Sequence, residues 1–164
     1  VKLLRLLLII LVVAALLLLA AGQAGLLQGT MPADLGLKDG KLKPPSRTPN
    51  SVSSQAALYD YEGARYARIE PIRYTGDGAA ALTRIGAIVL KMPGARILQS
   101  GPDYLYVQFQ TRWLKFVDDA EFAVDPAGAV IHVRSASRLG RKDFGVNRAR
   151  IESIRAQFNS VQDR

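Results

Sequence analysis

The sequence predicts an α+β domain: a four-stranded antiparallel meander with two helices packed on one face, preceded by a transmembrane or signal helix. Three observations predict it. A nearly unbroken apolar run fills Leu6 to Ala21. Two stretches, around residues 77–91 and 143–159, repeat apolar residues at helical spacing. Between them lie strand-length segments joined by short turn signals, which antiparallel pairing accommodates.

Lys2 and Arg5 precede the apolar run. At about 1.5 Å per residue its sixteen residues span about 24 Å, and extension to Leu27 completes a hydrocarbon core of about 30 Å. The two cations place that end in the cytoplasm and the rest of the chain outside. Residues 1–27 are therefore a signal anchor or, since Ala20, Gly22 and Ala24 suit a peptidase, a cleavable signal peptide. Residues 28–43 hold no helical or strand period and read as a linker, a tether between membrane and domain. Residues 44–164 form the domain. Its first part, PPSRTPNSVSSQ, is expected to pack on it, because Ser51, Ser53 and Ser54 can bond back to the backbone.

Within the domain, Ile69-Glu70-Pro71-Ile72 is extended, since a residue before proline avoids the helical region. Asp77 caps a helix running to about Lys91, with Leu82, Ile85, Ile88, Val89 and Met92 on its inner stripe. Arg96 to Gln99 is a short strand. Tyr104 to Thr111 alternates, with Leu105, Val107 and Phe109 inward and Tyr104, Tyr106, Gln108 and Gln110 on a wet or ligand-facing side. Val117–Val124 and Ala129–Ser135 form a hairpin about Asp125-Pro126-Ala127-Gly128, the residue order of a type I turn. Pairing Phe122 with Ile131 and Ala120 with Val133 keeps one face apolar, and sets Glu121 opposite His132 and Asp119 opposite Arg134. A left-handed Gly128 would shift the pairing by one residue and mix polar with apolar side chains. Patterning decides for the first register. The last helix starts near Asp143 and buries Ile151, Ile154, Phe158 and Val161; one turn earlier that stripe holds Asn147, a polar residue that needs partners.

Phe116 to Arg150 concentrates the polar chemistry. It contains Asp118, Asp119 and Glu121, the chain's only histidine, His132, and the run RSASR (134–138). Three roles compete for these residues. In the first, Asp118, Asp119, Glu121, Arg134 and Arg138 are cross-strand ion pairs that pin the hairpin. In the second, Arg134, Ser135, Ser137, Arg138, Asn147 and Arg148, with the helix start at Asp143, bind phosphate, carboxylate or an anionic lipid headgroup. Asn50, Ser53, Asp118, Asp119, Glu121 and Asp143 then complete one shared polar network. In the third, Glu121 or Asp119 pairs with His132 as general acid and base beside Ser135 or Ser137, as a hydrolase would need. No nucleophile elbow, metal-ligand spacing or phosphate loop accompanies it, and neither metal nor cofactor is implied.

The formal charge of +8 suits an anionic membrane surface or small anionic ligands; nucleic acid is not expected of a chain directed out of the cytoplasm. The absence of cysteine excludes disulfides, thiol catalysis and lipoprotein attachment through Cys.

PNSVSS (49–54), YLYVQF (104–109), FVDDAEF (116–122) and VIHVRSASRLGRKDFGVNRARIE (130–152) resemble the domain-of-unknown-function 1499 family, over roughly residues 44 to 160. Many members carry cysteine beside the first asparagine, where this chain has Ser51. The resemblance implies a bacterial or plastid envelope protein and no particular activity. With the leader, it places the chain in a bacterial inner membrane as a single-pass protein with a periplasmic domain, or in the periplasm after signal cleavage. The expected work is binding or supporting an anionic envelope component, with a purely structural role as the alternative.

Overall fold

The structure, a computed structural model, describes the backbone of residues 1–162 and the side chains of residues 1–160. The first helix, α1 (Lys2–Gln23), is long and apolar enough to cross a membrane and leaves nearly all of its leucines and isoleucines uncovered. The domain follows as β1 (Ser51–Ser53), a single 3-10 turn, α2 (Glu62–Ala67), β2 (Ile72–Arg73), α3 (Gly78–Val89), β3 (Ala95–Ser100), β4 (Tyr104–Gln110), β5 (Val117–Asp125), β6 (Val130–Ser137) and α4 (Val146–Gln162).

The four expected strands are present as β3 to β6, but the antiparallel sheet has six. Its order is β1-β6-β5-β4-β3, and β2 also pairs with β6. The two additional strands are three and two residues long, too short for alternation to announce them, and they divide the free edge of β6. Helix α2 likewise falls in a stretch without a recognisable stripe.

Helices α3 and α4 cover one face, as expected. Asp77 caps α3 by accepting from the Ala80 N–H at 2.7 Å. Leu82, Ile85 and Val89 meet Ile151, Ile154 and Phe158 of α4 over Leu105, Val107, Phe122, Ile131 and Val133. Each such side chain, fully buried, contributes about 1.5–3 kcal/mol. The Val161 side chain, expected on the same stripe, lies outside the described residues.

The hairpin register differs from both expected pairings. Asp125 pairs with Val130 across a four-residue loop, so Phe122 faces Val133 and Glu121 faces Arg134. The Asp125 carboxylate accepts from the Ala127 and Gly128 N–H groups, and Ala129 takes the left-handed conformation at φ 49°. The observed register is two residues away from the one that patterning favours. A shift of two preserves which side chains share a face, so patterning identified the faces while turn composition misplaced the loop.

The other sheet face is not wet. The 28–43 stretch, expected as a tether, lies across it. Leu42, 2% exposed, packs with Tyr104, Tyr106 and Ala123, and Leu35 closes over them. The Gly36 N–H donates to Glu121. The apolar residues here are singletons separated by Lys, Asp and Gly, which no periodicity test detects. The following PPSRTPNSVSSQ run packs on the domain as expected, with Pro45, Asn50, Ser51, Val52 and Ser53 buried.

Candidate functional site

The RSASR run is the end of β6 and the residue after it, and strand alternation divides it. Ser135 and Ser137 point to the helices, whereas Arg134 and Arg138 point to the face covered by residues 28–47. The single nest expected of these residues is therefore two clusters with the sheet between them.

On the covered face, Glu121 is fully buried at 0% exposure and fully partnered. Its Oε1 accepts from the Tyr104 hydroxyl and the Gly36 N–H, both at 2.8 Å, and its Oε2 faces Arg134 Nη1 at 3.3 Å. Arg134 Nε donates to the Pro44 carbonyl. One pair along, Asp119 is held bidentately by Arg138 and accepts from the Tyr106 hydroxyl at 2.5 Å. Gln108 donates to the same hydroxyl. Burial, then the charge and hydrogen bond of Glu121, push the Tyr104 phenol far above its ordinary range. Burial also raises Tyr106, reinforced by its bond to Asp119. The Asp119 carboxylate raises the Arg138 guanidinium further still.

On the helix face, Asn147 is the hub. It is 0% exposed and sits where the apolar stripe of α4 is interrupted. Its Oδ1 accepts from Ser135 Oγ and from Arg150 Nη1 at 2.8 Å. Its Nδ2 donates to Ser137 Oγ, to Asp143 Oδ2 and to the Asn50 carbonyl. Arg150 also binds Asp118 at 2.6 Å and lies over the Phe109 ring. Burial opposes the charge on Asp143, yet the Asn147 and Gly145 N–H groups, the Asn147 amide and the Tyr66 hydroxyl together hold its pKa below the usual carboxylate range. Asp143 is thus the cap of α4, three residues ahead of its first helical residue. Asn50 ties β1 to this cluster by donating to the Gly140 carbonyl, while its own Oδ1 has no partner among the described residues.

The remaining expected residues sit elsewhere. Ser53 Oγ accepts from the Gln55 N–H. Arg148, the residue after Asn147 in the first turn of α4, donates to the Arg68 and Tyr66 carbonyls. His132 does not oppose Glu121, because the register differs by two. Its Nδ1 is 3.1 Å from Ser54 Oγ and its Nε2 is 3.6 Å from Asp125 Oδ2. Ser54 Oγ also accepts from the Val133 N–H, so this hydroxyl is part of the strand pairing. The Glu121–His132 acid–base pair and its serines are therefore not assembled.

Sequence reasoning missed Tyr104, Tyr106 and Arg150 as members of these clusters. The first two were legible in principle, because β4 alternation places them on the same side as Glu121 and Asp119 once β4 and β5 are paired. Arg150 lies three residues after Asn147 on α4, a spacing that puts both on one helix face.

Among the described residues no group of three or more His, Cys, Asp or Glu side chains is arranged to hold a metal ion. No curated protein and no solved structure matches the chain. The family model described as "Protein of unknown function (DUF1499)" matches residues 41–158, from the strap over the sheet through α4. By that match, over most of its length, the chain belongs to the DUF1499 family.

Proposed function

We propose that this chain is a membrane-anchored envelope domain that binds or supports an anionic envelope component, and that its arginine–carboxylate clusters are the rigid frame of that domain. One observation carries the reading: the cations of the predicted site are already spent. Arg134, Arg138 and Arg150 each hold a carboxylate inside the fold, and Arg148 is committed to two carbonyls. A buried pair of this kind adds little net stability but is costly to break, which suits a role in fixing geometry. Among the exposed and half-exposed cations that hold no carboxylate, Arg112, Lys115, Arg141 and Lys142 gather on the two loops at the end of the domain where α1 arrives.

Retention of α1 as an anchor is supported by its seat on the domain. The Gln23 side chain donates to the Trp113 carbonyl at 2.8 Å. Gly22 lies so close to the backbone of Leu114 that an added Cβ would be 2.7 Å from its carbonyl oxygen. A peptide cut away after cleavage has no use for such a fit.

The test is thermal unfolding of the full chain in neutral detergent micelles, with and without added polyphosphate or micelle-soluble phosphatidylglycerol. Either anion raises the melting temperature, and replacing Arg112, Arg141 and Lys142 together by glutamine removes the rise. No rise with either anion leaves the purely structural reading.

A further inference from the structure

We infer that the end of the domain beside α1 is a membrane-docking face, on which Trp113, Leu139, Phe144 and Val146 enter the interface of an anionic bilayer. The inference rests on the anionic-partner reading above and names that partner as lipid headgroups.

Four observations place the surface there. First, a 22-residue helix is about 33 Å long, enough to cross a hydrocarbon core of about 30 Å, so Gln23 emerges at headgroup level. Its bond to the Trp113 carbonyl holds the β4–β5 loop at the same level. Second, that loop and the segment before α4 share one end of the sheet. Thr111, Phe116, Leu139, Phe144 and Val146 line a single shallow cavity of about 300 Å³ there. An added Cβ on Gly29, six residues beyond α1, would touch Leu139.

Third, the apolar side chains of this end are turned outward. Trp113 is 63% exposed and Phe144 is 93% exposed. Phe144 adopts φ 53°, a left-handed conformation that costs a non-glycine residue free energy and lets its ring project away from the fold. Strain that exposes an aromatic ring is retained where the ring has a partner. Trp and Phe favour the bilayer interface, where an apolar ring and a polar surround are both satisfied.

Fourth, the charge around these rings is mostly positive. Arg112, Lys115, Arg141 and Lys142 stand on the same two loops. The acids among them, Asp118 and Asp143, are buried and partnered inside the fold. Glu62 is an exposed acid near the rim, beside Lys142 and Phe144. Basic residues ringing exposed aromatics match an anionic leaflet, each contributing about 1 kcal/mol near the surface.

The chain has one tryptophan, which makes the test direct. The full chain is placed in lipid nanodiscs containing acyl-brominated lipid, with neutral or with anionic headgroups. Fluorescence is read for the native protein and for the Phe144→Trp variant in a Trp113→Phe background, with circular dichroism melting to establish folding. Docking predicts that both indoles are quenched, more strongly in anionic discs. Arg141→Gln and Lys142→Gln each lower the docked-to-undocked ratio about fivefold. Quenching at Trp113 alone overturns the inference, because only the anchor exit then touches lipid. Quenching blind to headgroup charge overturns it as well. A face that is shielded only as protein concentration rises belongs to a second copy, which also overturns it. A polyphosphate-induced rise in melting temperature that survives any of these failures separates them from failure of the anionic-partner reading.

Discussion

Arg138 grips Asp119 through two parallel hydrogen bonds, Nε to one carboxylate oxygen and Nη2 to the other, each 2.8 Å long. Both side chains are nearly excluded from solvent. The pair joins β5 to the end of β6, and the Tyr106 hydroxyl links it to β4.

Removing one member strands the other. Asp119→Leu is expected to destabilise the chain by about 3–5 kcal/mol, because Arg138 remains buried without its partner. Adding Arg138→Met recovers most of that loss. Equilibrium unfolding of both variants in neutral micelles checks it. A single substitution as stable as the native chain would show that the pair does not hold this corner of the sheet.

Asn147 poses the converse case. Asn147→Leu completes the apolar stripe of α4, and on hydrophobicity alone it should stabilise. It also leaves the Asn50 carbonyl, Ser135, Ser137 and Asp143 short of a partner. The expected result is a loss of at least about 2 kcal/mol, since several buried groups lose a hydrogen bond at once. A gain in melting temperature would contradict the role of Asn147 as hub.

Of the tyrosines whose burial raises them, Tyr104 carries the largest share of the alkaline limb of stability. Its phenol is held protonated by burial and by the neighbouring Glu121 carboxylate, so its folded pKa lies above its unfolded value. Such a group stabilises the fold fully below the unfolded pKa of about 10, and that contribution is lost as pH climbs through the folded value. Ultraviolet titration of phenolate should find Tyr104 ionising only as the chain unfolds, and Tyr104→Phe should flatten the fall in stability above pH about 10. Smooth ionisation of every tyrosine in the folded chain would contradict this.

Phe144 trades stability against contact. Phe144→Gly relieves a left-handed backbone and should stabilise the fold by about 1 kcal/mol. The same change removes a ring that is 93% exposed, and should weaken lipid contact of the face. Thermal unfolding in neutral micelles and bromolipid quenching of Trp113 measure the two effects separately.

The faces of the fold were legible in the sequence, and the distances across them were not. Alternation in YLYVQF and in the Phe122/Val133 pair assigns each side chain to a face whichever even register the hairpin adopts. Loop length is decided by a few local torsions, here the left-handed Ala129, which residue type does not announce. That difference of two residues gave Glu121 an arginine in place of His132. It also moved the histidine beside Ser54 and Asp125. The interrupted stripe at Asn147 correctly marked a buried polar hub. The strap at Leu35, Gly36 and Leu42 was hidden because a segment that covers a sheet through isolated contacts has no period of its own.

The most direct test of the account separates frame from contact surface in one experiment. The melting temperature of the full chain is compared between neutral and anionic nanodiscs for three proteins: native, Arg112→Gln/Arg141→Gln/Lys142→Gln, and Asp119→Leu/Arg138→Met. The account predicts that anionic lipid stabilises the native chain and the interior double variant alike, and leaves the surface variant unmoved. Stabilisation that survives in the surface variant and disappears with the Asp119–Arg138 pair would contradict it, and would return the anion site to the interior of the RSASR strand.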